Sequence, residues 1–229
     1  MEPSAHAAGC GRTYLPGVRH RLTRATVRGA TLAVACALAC SPAVAPPRDA
    51  SGAAPKSLHS APETLVLGDA DVPVGYFVDS DGPMTAEALA RGLGISTGTI
   101  KERGTSGYAR IYKDPTLPFV CCVVDSILIT AVDENAARAT FTDFLRTAVA
   151  LGSITSDLGE SIGAESRVLE FHETTPEGTL TTVTILFRYA NAVDAVEVTG
   201  MAGSFTPADA TGVARKQLER LRADAEGAR

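Results

Sequence analysis

Histidine is scarce in this sequence, with four residues among 229. Two of them, His6 and His20, precede an apolar run near the N-terminus, which leaves His59 and His172 beyond it. Histidine is the usual acid–base group near neutral pH, so the shortage removes most routes to histidine-dependent catalysis. His172 is expected at a strand end before a hairpin, where the adjacent Glu173 would point to the other face. No Gly-x-Ser-x-Gly surrounds any serine, which removes the usual nucleophile elbow. Gly92-Leu93-Gly94 lacks the Gly-x-x-Gly continuation and strand–helix setting of a phosphate loop. No apolar run reaches the roughly 20 residues a spanning helix needs. Basic residues are short too: five Arg and one Glu of the 21 basic and 26 acidic residues fall in the first 40, leaving 16 and 25, a net charge of −9. An acidic chain of this kind disfavours nucleic acid as a partner, because phosphate backbones demand basic patches. The one basic concentration, Arg215, Lys216, Arg220 and Arg222, is interleaved with Glu219, Asp224 and Glu226 and reads as a solvated helix face.

Cysteine is equally sparse, and its placement is informative. Of five, Cys10 and Cys36 precede Cys40, which stands after Ala37-Leu38-Ala39. The stretch before it runs from Arg19, Arg21, Arg24 and Arg28 into the apolar segment 30–39, and Ser, Pro and Ala dominate the residues after it. Charged region, apolar region and small residue at the cut form the order of an export signal. With cysteine as the first mature residue, it resembles the signal of bacterial lipoproteins, which implies an acylated Cys40 and an exported protein held on the outer face of a membrane. The expected organisation is a signal peptide over 1–39, a lipidated N-terminus and tether over 40–62, and one domain over 63–229. Departures from that family pattern are Ala37 at the third position before the cysteine and the competing Cys36; Val18 offers an alternative start. Cleavage near Ala45 with plain secretion is the other reading, and Pro42, Pro46 and Pro47 disfavour a permanent membrane helix.

Only Cys121 and Cys122 then remain. Adjacent strand residues face opposite ways, so the expectation is two free thiols packed as small apolar fillers, with no disulfide. Two cysteines without nearby histidines cannot complete a tetrahedral metal site. Asp79-Ser80-Asp81-Gly82 looks like part of a calcium loop, but aligning the glycine places Phe77 and Ala88 at the two end ligands. The stretch reads instead as an acidic turn. No metal and no cofactor is implied.

From 63 onward the patterns alternate. A helix is expected from Thr85 to Arg91, capped by Thr85 and stopped by Gly92. Strands are expected over 105–113, 119–132, 165–172, 180–189 and 192–199. Asp133 caps a helix reaching about Ala150, with Ala137, Phe141, Phe144, Leu145 and Ala148 on one face. Thr206-Pro207-Ala208-Asp209 starts a final helix, whose Ala214, Leu218, Leu221 and Ala225 face the core. Asn191 should supply the left-handed residue of the last hairpin. Short connections between strands predict an α+β fold, an antiparallel sheet with the two main helices packed on one face.

The ordered features Leu67-Gly68-Asp69-Ala70-Asp71-Val72-Pro73-Val74-Gly75-Tyr76, the strand into Asp133-Glu134-Asn135-Ala136-Ala137, Asp157-Leu158-Gly159-Glu160 and Ile185 to Val193 resemble the PknH-like extracellular sensor domains of actinobacterial lipoproteins and receptor kinases. The resemblance runs from about residue 63 to 225. It implies an α+β sandwich with a binding cleft, and sensing or partner binding without catalysis. The kinase sensors are held by disulfides, a pattern absent here.

Asp125 interrupts an apolar strand, on the same face as Val123 and Ile127. A buried unpaired carboxylate is costly, so a bulge, an open sheet face, or pairing with Arg110 or Arg188 would each explain it. The sharper reading makes Asp125 and Arg188 polar groups of a ligand cleft. The expected function is a membrane-anchored, non-catalytic sensor or binding lipoprotein whose partners are the membrane, through its anchor, and a small ligand or envelope protein. The alternatives are an envelope hydrolase using Asp125, Glu170 or Glu173, and a structural accessory subunit.

Overall fold

Thr85 and Asp133 start helices by the same means. Each holds extended backbone, and its side chain accepts a hydrogen bond from the N–H three residues on, Ala88 and Ala136 respectively. In the computed structural model, which describes residues 57–115 and 123–227, these caps open α2 (Ala86–Leu93) and α4 (Glu134–Ala150). The stop of α2 is Gly94, with φ of 63°, and not the expected Gly92. A left-handed residue frees the chain to leave the helix, and glycine adopts it without a Cβ clash. Pro207 at the first helical position opens α5 (Pro207–Gly227), with Thr206 and Asp209 exchanging hydrogen bonds ahead of it. Two short helices, α1 (Pro62–Leu65) and α3 (Thr97–Glu102), carry no signal long enough to read in advance.

Seven strands form one antiparallel sheet: β1 (Phe77–Met84), β2 (Ser106–Lys113), β3 (Val123–Thr130), β4 (Ile154–Ser156), β5 (Glu165–Thr175), β6 (Gly178–Tyr189) and β7 (Ala192–Met201). Their spatial order is β1-β2-β3-β7-β6-β5-β4. The fold is α+β. The expected acidic turn over 79–82 is instead part of edge strand β1, whose pairing with β2 slips at Asp79. Such a bulge, with the exposed acids around it, is a common way to close an edge to further pairing. In the β6–β7 hairpin the left-handed residue is Ala190, φ 52°, and not Asn191. Asn191 instead spends its side chain across the turn: Nδ2 donates to Ala131 O (2.9 Å) and Oδ1 accepts from Leu58 N (2.8 Å).

The helices do not share a face. Along β3, Val124 and Leu128 face one way and join Ala210, Ala214, Leu218 and Leu221 of α5 in one core cluster. Ile127 and Ile129 face the other way and join Leu89 and Leu93 of α2 with Ala137 and Phe141 of α4 in a second. Thus α4 and α5 cover opposite sides, and the expectation of both on one side is overturned. The physical reason is that β3, β6 and β7 are buried on both faces, and each apolar face must be covered.

Cys40, the signal segment and Cys121-Cys122 lie outside the described residues. Leu58 to Ser60, read from the sequence as the end of the tether, are tied to the domain. Besides the Leu58 bond, His59 N donates to Asp224 Oδ2 (2.8 Å) and Ser60 Oγ donates to the same carboxylate.

Candidate functional site

On the face covered by α4, one row of side chains crosses the sheet through Ile111, Asp125, Glu197, Thr184 and Leu169. The register sets these five opposite one another on β2, β3, β7, β6 and β5. Two carboxyl groups therefore stand side by side at the sheet's centre. Asp125 is 3 % exposed and Glu197 7 %. Directly opposed residues of an antiparallel pair hold their Cβ atoms about 4.5–5.5 Å apart, so the two carboxyls share one small volume.

Donors are few. Thr184 Oγ1 donates to Glu197 Oε1 (3.2 Å). Asp125 Oδ1 and Glu197 Oε2 have no hydrogen-bond partner among the described residues. Burial foremost, then the neighbouring Glu197 charge, holds the Asp125 carboxyl well above the usual carboxylate range; Lys113 opposes the rise and Asp79 adds to it. Burial likewise pushes Glu197 up to about 7, against the Thr184 hydrogen bond. Both groups are thus protonated in acid, and Glu197 changes charge close to neutral pH. Further out, Lys113 is 46 % exposed and pairs with Asp79 (2.6 Å), while Thr182 and Thr199 share a hydrogen bond (2.9 Å) in the next row.

Arg188 is not part of this site. It stands opposite Val193 on β7, which stands opposite Ile129 on β3. That row lies four residues from Asp125, about 13 Å along the strand. Arg188 is 4 % exposed and bridges Glu165 (Nε to Oε1, 2.6 Å) and Glu134 (NH1 to Oε1, 2.9 Å), joining the start of α4 to the sheet. Arg110, the other expected partner, is on the α5 face, where it donates to Leu67 O (3.0 Å) and pairs with Asp81 (3.3 Å). Asp125 is neither bulged outward nor paired with either arginine.

The remaining carboxylate candidates are dispersed. Glu170 alternates with Leu169 and so faces away from Asp125, with His172 Nε2 4.0 Å from it on its own strand. His172 Nδ1 also meets Thr181 Oγ1 at 3.1 Å. Glu173 is exposed near the hairpin end. No group of three or more His, Cys, Asp or Glu side chains suited to a metal occurs among the described residues. No helix among them is long and apolar enough to cross a membrane.

Two central residues were missed by sequence reasoning. Glu197 and Asp194 interrupt the apolar strand β7 just as Asp125 interrupts β3, so the same signal was available. What the sequence could not give is the register that sets Glu197 against Asp125. Asp194 faces the α5 side, between Leu128 and Phe187, and is 1 % exposed.

No family profile matches the sequence, and no curated protein matches it. Among solved structures, the chain is similar to the extracellular domain of PknH from Mycobacterium tuberculosis. The TM-score is 0.45 at 10 % identity, covering 72 % of this chain and 99 % of that one.

Proposed function

We propose that this chain is a membrane-anchored, extracytoplasmic sensor or binding lipoprotein with no catalytic chemistry of its own. The observation that carries the reading is the sealing of the Asp125–Glu197 pair. A general acid or base must come within hydrogen-bond reach of its substrate, and these two carboxyls, at 3 % and 7 % exposure, present almost no surface to one. The other hydrolase candidates, Glu170 and Glu173, point to opposite faces of β5 and assemble no constellation with them. Arg188 is committed to two carboxylates and acts as a clamp between α4 and the sheet. In this reading the domain engages a small ligand or an envelope protein through its sheet and adjoining loops.

The test is a thermal-shift screen of the full chain against envelope metabolites and extracts. Selective binding to the folded state must raise its melting temperature. A saturable shift without turnover supports the sensor; reproducible turnover abolished by Asp125→Asn overturns it in favour of the hydrolase.

Anchoring rests on the segment around Cys40, whose acylation would hold the chain on the outer face of the membrane. One acyl chain binds only marginally, and the lipoprotein signal it resembles implies several. Cys40→Ser is expected to release the protein from the membrane fraction or to leave the precursor uncleaved. A variant that fractionates and migrates like the parent would remove the anchor from the proposal.

A further inference from the structure

We infer that the proton is itself a stimulus for this domain, with the fully protonated Asp125–Glu197 pair acting as a latch across the β3–β7 ladder. The inference deepens the sensor reading and rests on it.

Register sets the two carboxyls directly opposite on neighbouring central strands. Each keeps one oxygen, Asp125 Oδ1 and Glu197 Oε2, with no partner among the described residues. Two ionised carboxylates so close, and so far from water, repel each other without a cation between them. Protonation removes that charge and adds donors beside the single one that Thr184 supplies to Glu197. The pair titrates as a unit: burial raises Glu197 to about 7, which places the first ionisation within the ordinary environmental range, and burial with the Glu197 charge then holds Asp125 higher still.

The surroundings leave few other charges to set the response. From β2, Lys113 favours ionised Asp125; from β1, Asp79 opposes it while pairing with Lys113. From β6 comes the Thr184 hydroxyl, and from β5 the apolar Leu169. The residues α4 turns to this core cluster, Ala137, Phe141, Phe144, Leu145 and Ala148, are apolar. Its Asp143 is held by Arg103 of the chain just after α3 and by Arg146. From α2 the packed residues are Leu89, Ala90 and Leu93, and residues 116–122 contain no Asp, Glu, Lys, Arg or His.

The sign follows from the proton count. Both carboxyls hold their proton to higher pH folded than unfolded, so the folded state binds more protons and stability falls as pH rises. The latch is closed in mild acid and strained above neutrality. Relief comes from parting the end of the ladder near Val123 and Thr199, where water can reach the Glu197 charge.

The experiment is a melting profile of the full chain from about pH 5.5 to about pH 8.5, in an Asp194→Asn background that removes the other buried acid of β7. The melting temperature is expected to fall by about 5 °C or more as pH rises, with the Glu197 share of the fall levelling off near pH 7. Glu197→Gln and Asp125→Asn should each flatten that fall. Thr184→Val should carry the fall to higher pH, because the hydroxyl that steadies ionised Glu197 is gone; this readout decides the matter if either amide variant fails to fold. A flat parental profile, or a Thr184→Val profile unmoved, overturns the proton latch. Either result leaves saturable ligand shifts standing, whereas Asp125-dependent turnover overturns the sensor reading whatever the pH profile shows.

Discussion

Gly163→Ala is expected to destabilise the domain by more than about 3 kcal/mol, lowering the melting temperature by about 6–12 °C for a domain of this size. Gly163 holds φ of 70° and pairs with Arg188 through a parallel bridge, and a Cβ built there would stand 2.3 Å from Arg188 O. Two costs therefore add. A left-handed backbone costs an L-residue roughly 1–2 kcal/mol, and the overlap cannot be relieved by a side-chain rotation because its partner is backbone. The same Arg188 carbonyl accepts from Ala164 N (2.8 Å), so moving it breaks the junction that positions the guanidinium between Glu134 and Glu165. Gly159→Ala is the control, since nothing lies within 4 Å of its Cβ position and its backbone is unstrained. Equal melting temperatures for the two variants would mean that the Gly163–Arg188 junction does not hold the fold together.

Asp194→Asn is expected to act in the other direction and to stabilise the domain. Asp194 stands between Leu128 and Phe187 and is 1 % exposed. Burial raises its carboxyl well above the ordinary range, and only Gln217 opposes this. That opposition is limited because Gln217 Nε2 already donates to Leu65 O (2.7 Å). A carboxyl protonated in the fold and ionised in the unfolded chain stabilises fully below its unfolded pKa, and the contribution is lost as pH rises toward the folded value. Asparagine keeps the shape, stays neutral, and offers an N–H to Gln217 Oε1, which has no partner among the described residues. The variant should match the parent near pH 4 and exceed it at about pH 8 by more than about 3 kcal/mol, the scale of an uncompensated buried charge. Urea titrations at the two pH values measure this. A variant less stable than the parent by the same amount at both would show that Asp194 is ionised and paired in the fold.

Where a signal is local, the sequence was legible. Thr85, Asp133 and Thr206-Pro207 sit at the helix starts they predicted, because a cap acts within four residues of itself. The strands 106–113, 165–175, 178–189 and 192–201 follow the expected β-rich runs to within a few residues. Where the fold depends on distant chain, the reading failed in specific ways. The acidic stretch 79–82 has the composition of a turn and becomes a strand only because β2 lies beside it. Gly94 stops α2 where Gly92 was expected, since both are glycines and only the packing of Leu93 into the core separates them. Ala190 takes the left-handed turn position because Asn191 is held by Ala131 and Leu58 on either side.

The candidate site divides along the same line. Asp125 was conspicuous as a charge inside an apolar run, an inference needing only strand alternation. Its partner Glu197 became visible only with the β3–β7 register. Arg188 was drawn to the same cleft by charge alone, and the sheet puts it a dozen ångströms away with two carboxylates of its own.

The sequence by itself determined the elements and their kind. Caps, periodicity and alternation act through neighbours in the chain, so the antiparallel α+β character and the presence of buried charge were already written there. Which helix covers which face, and which carboxyl meets which, was decided by the tertiary structure alone. Three central strands buried on both sides demand two covers, so α4 and α5 part to opposite faces, and that arrangement seals Asp125 and Glu197 together in a place too dry for both to be charged.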